Sequence, residues 1–494
     1  MAAVSESRAV EPATPLRRPA RAGLLVLAAV LAVQVALGVV WWVAELPGVP
    51  EYGDTIEYVS QSTTWAVDGY RTIAYPALVR AATEVGAVLR VPWNALLYVA
   101  QLAVAAAAAA YLVRTLRPGL DRRWVAALVA VLVTLPLPLH YSASVLTDSL
   151  AASALVLLVA ALARVAGRAD LSWRPVAVAV LGTSVSVMLR PERLYVVLAL
   201  LGVTVVLVAL RVRRGSPLLP GRTALRAVAV LLAAVLVPAL GLTVLSRAMQ
   251  TADLGREPAT LTGAVFDRVA YPHLDEARGL LPPHVAAAVP VPAESADRTT
   301  VLLALRAVDG DAAVRATVRA ALECCLPAVA WDVVHDVAHG LGSPFAVAYD
   351  WATGNNGSSQ WDFTRMTGRN PGLASAVLTW GVVVACAVAA AWLVLGVRFL
   401  RGRRAAPPRP EDAADRTTTA VTIALLLAAA LVGAVFFGLV TSLDPNPRYS
   451  LATQVALVAI PLVLLVPGSA RGPHDVSMPG GPGRRHTRGA AGAP

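Results

Sequence analysis

The 494 residues are 57% apolar and 15% charged, with a mean hydropathy of +0.64, which excludes an ordinary soluble domain. The net charge of +11 comes from arginine alone, since the sequence holds no lysine, and its placement along the chain points to membrane topology rather than to a nucleic-acid partner. Three cysteines, adjacent Cys324 and Cys325 and a separate Cys386, supply neither a disulfide framework nor metal-ligand spacing.

Residues 1–22 carry Arg8, Arg17, Arg18 and Arg21 among Ala and Pro without a periodic apolar face, and read as a disordered cytoplasmic tail. Gly23–Ala44 is an uninterrupted apolar run long enough to cross a hydrocarbon layer of roughly 30 Å, and longer than the apolar core of a signal peptide. We expect a retained first span, ended by Trp41 and Trp42 in the aromatic belt. After an outer loop at 45–92, further spans are expected at Trp93–Val113, Trp124–Leu139, Val145–Ala163, Val176–Leu189, Leu194–Leu210 and Ala227–Leu245. Leu373–Val397, Thr417–Val440 and Tyr449–Val466 complete an all-α polytopic membrane protein of about ten helices.

The domain plan is then a transmembrane core at 23–245, a large extracytoplasmic loop subdomain at 246–371, C-terminal membrane helices at 372–466, and a disordered cytoplasmic tail at 467–494. The large loop falls between the seventh and eighth spans. It holds a helical pattern from Asp311 to Leu341, interrupted near Pro327. Every second connection is arginine-rich: Arg114 to Arg123, Arg164 to Arg174, Arg211 to Arg222, and Arg398 to Arg409. The intervening connections hold few arginines, so both termini are expected in the cytoplasm of a cell-membrane protein.

That orientation places the unusual polar residues together on the extracytoplasmic side. Asp54 and Glu57 follow the first span, with Arg71 and Tyr75-Pro76 closing the same loop. His140 ends the third span and Asp148 opens the fourth. Arg190-Pro191-Glu192-Arg193 joins two spans, and Arg448-Tyr449 precedes the last. Val176–Leu189 is only about 21 Å long at 1.5 Å per residue, so Arg190 and Glu192 are expected below the membrane surface, lining a hydrated cavity or paired with each other. Carboxylates can accept the proton of a hydroxyl, and arginines can hold a phosphate through forked, charge-assisted bonds.

The ordered set of Asp54, Glu57-Tyr58, Arg71, Tyr75-Pro76, Thr147-Asp148, Arg190-Pro191-Glu192 and Arg448-Tyr449 resembles the polyprenyl-phosphate-sugar-dependent glycosyltransferases of the GT-C superfamily, which include protein mannosyltransferases and the bacterial aminoarabinose transferase. The likeness covers roughly 23–240 and 372–466. It implies a GT-C-like membrane core and an inverting transfer of a sugar to a hydroxyl acceptor on a glycan, lipid or protein, in building the cell envelope. It implies Asp54 as the catalytic base, with Glu57 in reserve. It further implies Arg190 and Arg448 as donor-phosphate ligands, to which Arg71 and Tyr449 are added by place. Asp148, Glu192, His140 and Tyr75 would line the cavity. No cofactor is called for, and a divalent metal is left open. Partners would be the polyprenyl-phosphate-linked sugar, the acceptor and membrane lipids, with no nucleic acid. A membrane transporter or lipid-linked sugar flippase is the alternative, since charges within a membrane also mark substrate pathways.

Overall fold

The computed structural model describes residues 18–45, 53–65, 72–213, 221–254, 263, 265–296, 298–353, 370–402, 410–440 and 451–466. Among them every regular element is helical. In chain order the helices are α1 (Arg18–Glu45), α2 (Gly53–Thr64), α3 (Ala74–Leu89), α4 (Trp93–Leu116), α5 (Arg122–Val133), α6 (Pro136–Ser142), α7 (Asp148–Arg168), α8 (Trp173–Leu189), α9 (Leu194–Arg213) and α10 (Gly221–Leu254). Short turns and α11 (Leu274–Ala277) and α12 (Pro283–Ala288) lead into α13 (Arg298–Thr353), followed by α14 (Pro371–Gly402), α15 (Pro410–Val440) and α16 (Leu451–Leu465).

Seven of these helices, α1, α4, α7, α9, α10, α14 and α15, contain segments long and apolar enough to cross a membrane, and α5 with α6 makes an eighth if the bent pair is one span. The chain is therefore an all-α, multi-pass membrane protein. The other two predicted segments, α8 and α16, are apolar helices of 17 and 15 residues. At 1.5 Å per residue they reach about 25 and 22 Å, less than a full hydrocarbon layer.

Helix α7 forms the axis of the bundle and packs against α4, α8, α9, α15 and α16. Its sequence is rich in Ala, Ser and Gly, and in lipid, where apolar side chains gain little from leaving the solvent, small residues favour association by letting backbones approach. The approach is close at two glycines. A Cβ on Gly182 of α8 would lie 2.8 Å from the Ala154 carbonyl oxygen, and one on Gly167 of α7 would lie 2.8 Å from the Cα of Thr418. Either addition requires a backbone to move.

The predicted span at Trp124–Leu139 is broken: α5 and α6 meet at 76°. The cause lies in Leu135-Pro136-Leu137-Pro138. Pro136 supplies no N–H, and Leu135 before it is pushed to an extended conformation, φ −56° and ψ 144°. A break inside an apolar bundle exposes backbone acceptors, and a polar side chain on α1 covers one of them. Buried Gln34 donates from Nε2 to the Thr134 carbonyl at 2.7 Å. Gly38, one turn on, lets α1 reach the same point, since a Cβ there would sit 2.7 Å from Thr134 Cβ.

At the opposite end of α7, arginines hold helix C-termini. Arg211 Nη1 donates to the Gly167 carbonyl at 3.0 Å and to that of Ala166, and Arg117 Nη1 to the Val463 carbonyl at 3.2 Å and to that of Val466. Cations at these carbonyls oppose the negative end of the helix dipole. Arg164 donates to Thr115 Oγ1 at 3.3 Å and lies over the Tyr111 ring at 4.8 Å.

Residues 265–296 pack on the first part of α13 around a separate apolar core that includes Phe266, Leu274, Val285, Val301, Leu305 and Val314. The helical pattern expected from Asp311 begins earlier, at Arg298, and breaks at Asp309-Gly310, where Gly310 adopts φ +55°, and again at Cys325. Cys324 and Cys325 are joined as a disulfide, which their adjacency did not suggest from the sequence.

Candidate functional site at the α2, α7 and α8 junction

The stretch expected as the first outer loop is largely helical. Asp54 occupies the first turn of α2, where a carboxylate suits the positive end of the helix dipole. Thr55, Tyr58 and Ser62 follow the three- and four-residue spacing of one helix face, and all three are buried. That face is tied to the core by a hydrogen bond from Thr55 Oγ1 to the Val145 carbonyl at 3.2 Å. Tyr58 meets Tyr75 of α3 edge to face, with ring centroids 4.8 Å apart. Thr72, before α3, donates to the Met188 carbonyl near the end of α8.

Both helices thus close over the irregular segment 143–147 between α6 and α7. Non-helical backbone at membrane depth persists only where protein satisfies its polar groups, and Gln101 of α4 does so here. Its Nε2 donates to the Ser142 carbonyl at 3.1 Å and the Ser144 carbonyl at 2.9 Å, while Oε1 accepts from the Tyr75 hydroxyl at 3.3 Å. Gln101 is 0% exposed. It connects the fold of the loop helices to the shape of the break.

The segment ends at Asp148, the first residue of α7, which is completely buried. Helix α8 ends at Leu189 because Arg190 leaves the helical region, at φ −143° and ψ 85°, ahead of Pro191. This turn aims Arg190 inward, and its Nη2 donates to Asp148 Oδ1 at 2.7 Å. Asp148 is buried and Arg190 nearly so, with side-chain exposures of 0% and 13%. A charge-assisted bond of this length offsets desolvation that neither ion could sustain alone. Asp148 Oδ2 has no hydrogen-bond partner among the described residues.

Tyr58 lies within electrostatic range of the pair and of Asp54. Burial pushes its hydroxyl above the ordinary tyrosine range; Arg190 and the Thr147 hydroxyl draw it down, and the Asp54 and Asp148 carboxylates raise it. Tyr75, completely enclosed, is pushed up further, by burial first and then by Tyr58, Tyr98 and Asp148. One end of the bundle therefore holds two carboxylates, a guanidinium and two protonated phenols within electrostatic range. Such a set can hold an anionic group, orient a hydroxyl and accept a proton.

Among the residues expected to form the site, Asp148 and Arg190 pair directly, while Asp54 and Tyr75 lie within electrostatic range of this junction. Asp54 is half-buried and Glu57 is exposed on the same helix. His140 is buried in α6, stacked on Trp41 at 6.0 Å and edge-on to Tyr141 at 5.2 Å, an aromatic setting typical of a packed core. The backbone of Glu192 lies in the short turn Pro191–Arg193. Arg71, Arg448, Tyr449 and the Glu192 side chain lie outside the described residues. Arg190, expected to hold a donor phosphate, contacts a carboxylate, using through Nη2 part of a fork that carries five N–H groups.

Sequence reasoning passed over Gln101 and Arg193. Gln101 is the lone polar residue of Leu96–Ala110 apart from Tyr98, a signal in itself within a span. Arg193 is 3% exposed, and only the tertiary structure distinguishes it from a surface arginine.

Beside the junction, α4, α5, α6, α7 and α16 line a small, partly open crevice of about 30 Å3. Its walls include Ala105, Ala109, Leu132, Val156 and Val455, and its polar residues are Ser149 and Ser153. Ser149 follows Asp148 directly and bonds to Ser142 Oγ at 3.0 Å. No group of three or more potential metal ligands occurs among the described residues. No family model, curated protein or solved structure matches the chain.

Proposed function

We propose that the chain is an integral membrane glycosyltransferase that moves a sugar from a polyprenyl-phosphate donor to a hydroxyl acceptor on the extracytoplasmic face, with inversion. The observation that carries this reading is the grouping of Asp54, Asp148 and Arg190 around Tyr58, at the end of a bundle whose wall beside it is apolar. Acid, arginine and an adjoining apolar crevice suit a donor that is part phosphate and part hydrocarbon.

In the proposed reaction the acceptor oxygen attacks the anomeric carbon as the bond from that carbon to the donor phosphate oxygen breaks. The phosphate leaves with the bonding electrons, and the acceptor proton passes to the Asp54 carboxylate. Asp54 takes this role because it is half-buried, whereas Asp148 is enclosed and bonded to Arg190. Asp148 acts as a positioning residue that holds the guanidinium, and Arg190 stabilises the departing phosphate with Arg448 and Arg71. Stabilising that charge lowers the barrier more than proton transfer does, and the base adds about 10² to 10⁴ in rate.

The test is an assay of membranes containing the protein, supplied with a radiolabelled polyprenyl-phosphate sugar. Expected is label in a new glycosidic linkage, lost in Asp54→Asn with protein levels unchanged. Undiminished transfer by Asp54→Asn would remove that residue from the role. Movement of the labelled lipid across the membrane without a new linkage would replace the reading with a flippase.

A further inference from the structure

The part of α13 that follows Cys325 presents a face unlike that of an aqueous subdomain. Cys325 leaves the helical region, at φ −127° and ψ 20°, and the helix resumes at Leu326 on a new course. From there Leu326, Ala330 and Val334 recur every four residues, and Pro327, Trp331 and Ala338 extend the same side. All six are exposed, Leu326, Trp331 and Val334 by 56%, 69% and 60%. The opposite side is anchored to the protein: Val329 is buried, and the Asp332 carboxylate lies 3.8 Å from His273 Nε2.

We propose that this stretch of α13 lies in the membrane interface, its Leu326, Ala330, Trp331 and Val334 face in the lipid of the bilayer. Two observations identify lipid as the occupant. Helix α13 packs against α14 and α15, which contain segments long and apolar enough to cross a membrane, so the exposed apolar face is carried on a helix joined to the membrane bundle. Helix α15 itself exposes Leu427, Leu431 and Val435 by 42%, 51% and 37%. The chemistry of the stretch is also that of an interfacial helix, with an indole on its apolar side and Asp332 and His335 flanking it. A contiguous exposed apolar face of this kind marks a contact surface. The inference is independent of any activity at the α2, α7 and α8 junction. It sets the described subdomain around the first part of α13 against the membrane along one helix.

The test uses the full chain with Cys324, Cys325 and Cys386 changed to Ser, carrying a nitroxide on a single cysteine at Ala330, Val334 or Ala328. Ala328 is the control, turned nearly opposite Ala330 on the helix. In vesicles of phosphatidylcholine and phosphatidylglycerol, collision with lipid-soluble oxygen is compared with collision with a water-soluble nickel chelate. Expected is an oxygen-to-nickel ratio severalfold higher at positions 330 and 334 than at 328. Equal ratios would overturn the proposal in favour of an aqueous face, and exclusion of both reagents at 330 and 334 would overturn it in favour of a second copy of the chain. A second measurement leaves the cysteines intact. Tryptophan quenching by brominated phosphatidylcholine should weaken in Trp331→Phe, and unchanged quenching would count against the lipid contact.

Discussion

Removing the carboxylate of Asp148 tests whether the junction is built on its ion pair. In Asp148→Ala the Arg190 guanidinium, whose side chain is 13% exposed, keeps its charge and loses the acceptor 2.7 Å away. Breaking a buried pair by deleting one partner costs about 3–5 kcal/mol, because the remaining charge stays in a poorly solvated place without that partner. The small exposure of Arg190 favours the lower end, about 3 kcal/mol, or roughly two decades in the unfolding equilibrium. Asp148→Leu combined with Arg190→Met should recover much of the loss, since apolar side chains of similar volume replace buried pairs at little cost. The assay is reversible unfolding in mixed detergent micelles, followed for wild type, Asp148→Ala, and the cycle of Asp148→Leu, Arg190→Met and their double variant. A coupling energy within about 0.5 kcal/mol of zero would mean that the two groups act independently, and would refute the reasoning.

Replacing Gly182 by Val should separate α8 from α7, because the added atoms meet the Ala154 carbonyl oxygen and the Leu158 backbone. A loss of about 2 kcal/mol or more is expected in the same unfolding assay, against little change for Gly202→Val, where no atom lies within 4 Å. Gln101→Leu removes the donor to the Ser142 and Ser144 carbonyls, and each acceptor left unsatisfied costs about 1–3 kcal/mol; faster proteolysis at 143–147 would reveal the loosened break. Tyr58 should make stability fall in alkali. Its folded pKa lies above the ordinary value of 10.0, so its contribution is present below that value and is lost as pH rises through the folded one. Comparing unfolding at about pH 9 and about pH 11, Tyr58→Phe should show the smaller decline. Glu57→Gln, at an exposed position, should leave stability unchanged and, under the proposed function, should leave transfer largely intact.

The ten apolar segments were legible as helices because in lipid a spanning backbone must satisfy its own hydrogen bonds, so long apolar runs have few alternatives. The break after Thr134 was not foreseen in the expected span Trp124–Leu139, although Pro136 and Pro138 stand within it, and its 76° angle depends on how α5 and α6 pack. Helices α2 and α3 were harder to foresee. Their buried faces are Thr55, Tyr58 and Tyr75, which are too polar to signal a core until Val145, Gln101 and each other are seen as partners.

For the candidate site, residue type and side of the membrane sufficed to nominate Asp54, Asp148 and Arg190. Their partners could not be read. Arg190 stands 42 positions from Asp148, and its neighbour Glu192 was the more obvious mate. A charge chooses among acceptors by distance and desolvation, and both depend on where α8 ends against α7. Composition and arginine spacing by themselves determined a helical membrane chain with acids and arginines near span ends. Only the tertiary structure decided that Asp148 is buried against Arg190, that Tyr58 lies within electrostatic range of both and of Asp54, and that His140 packs among aromatic rings, because those outcomes depend on contacts between helices that no local pattern encodes.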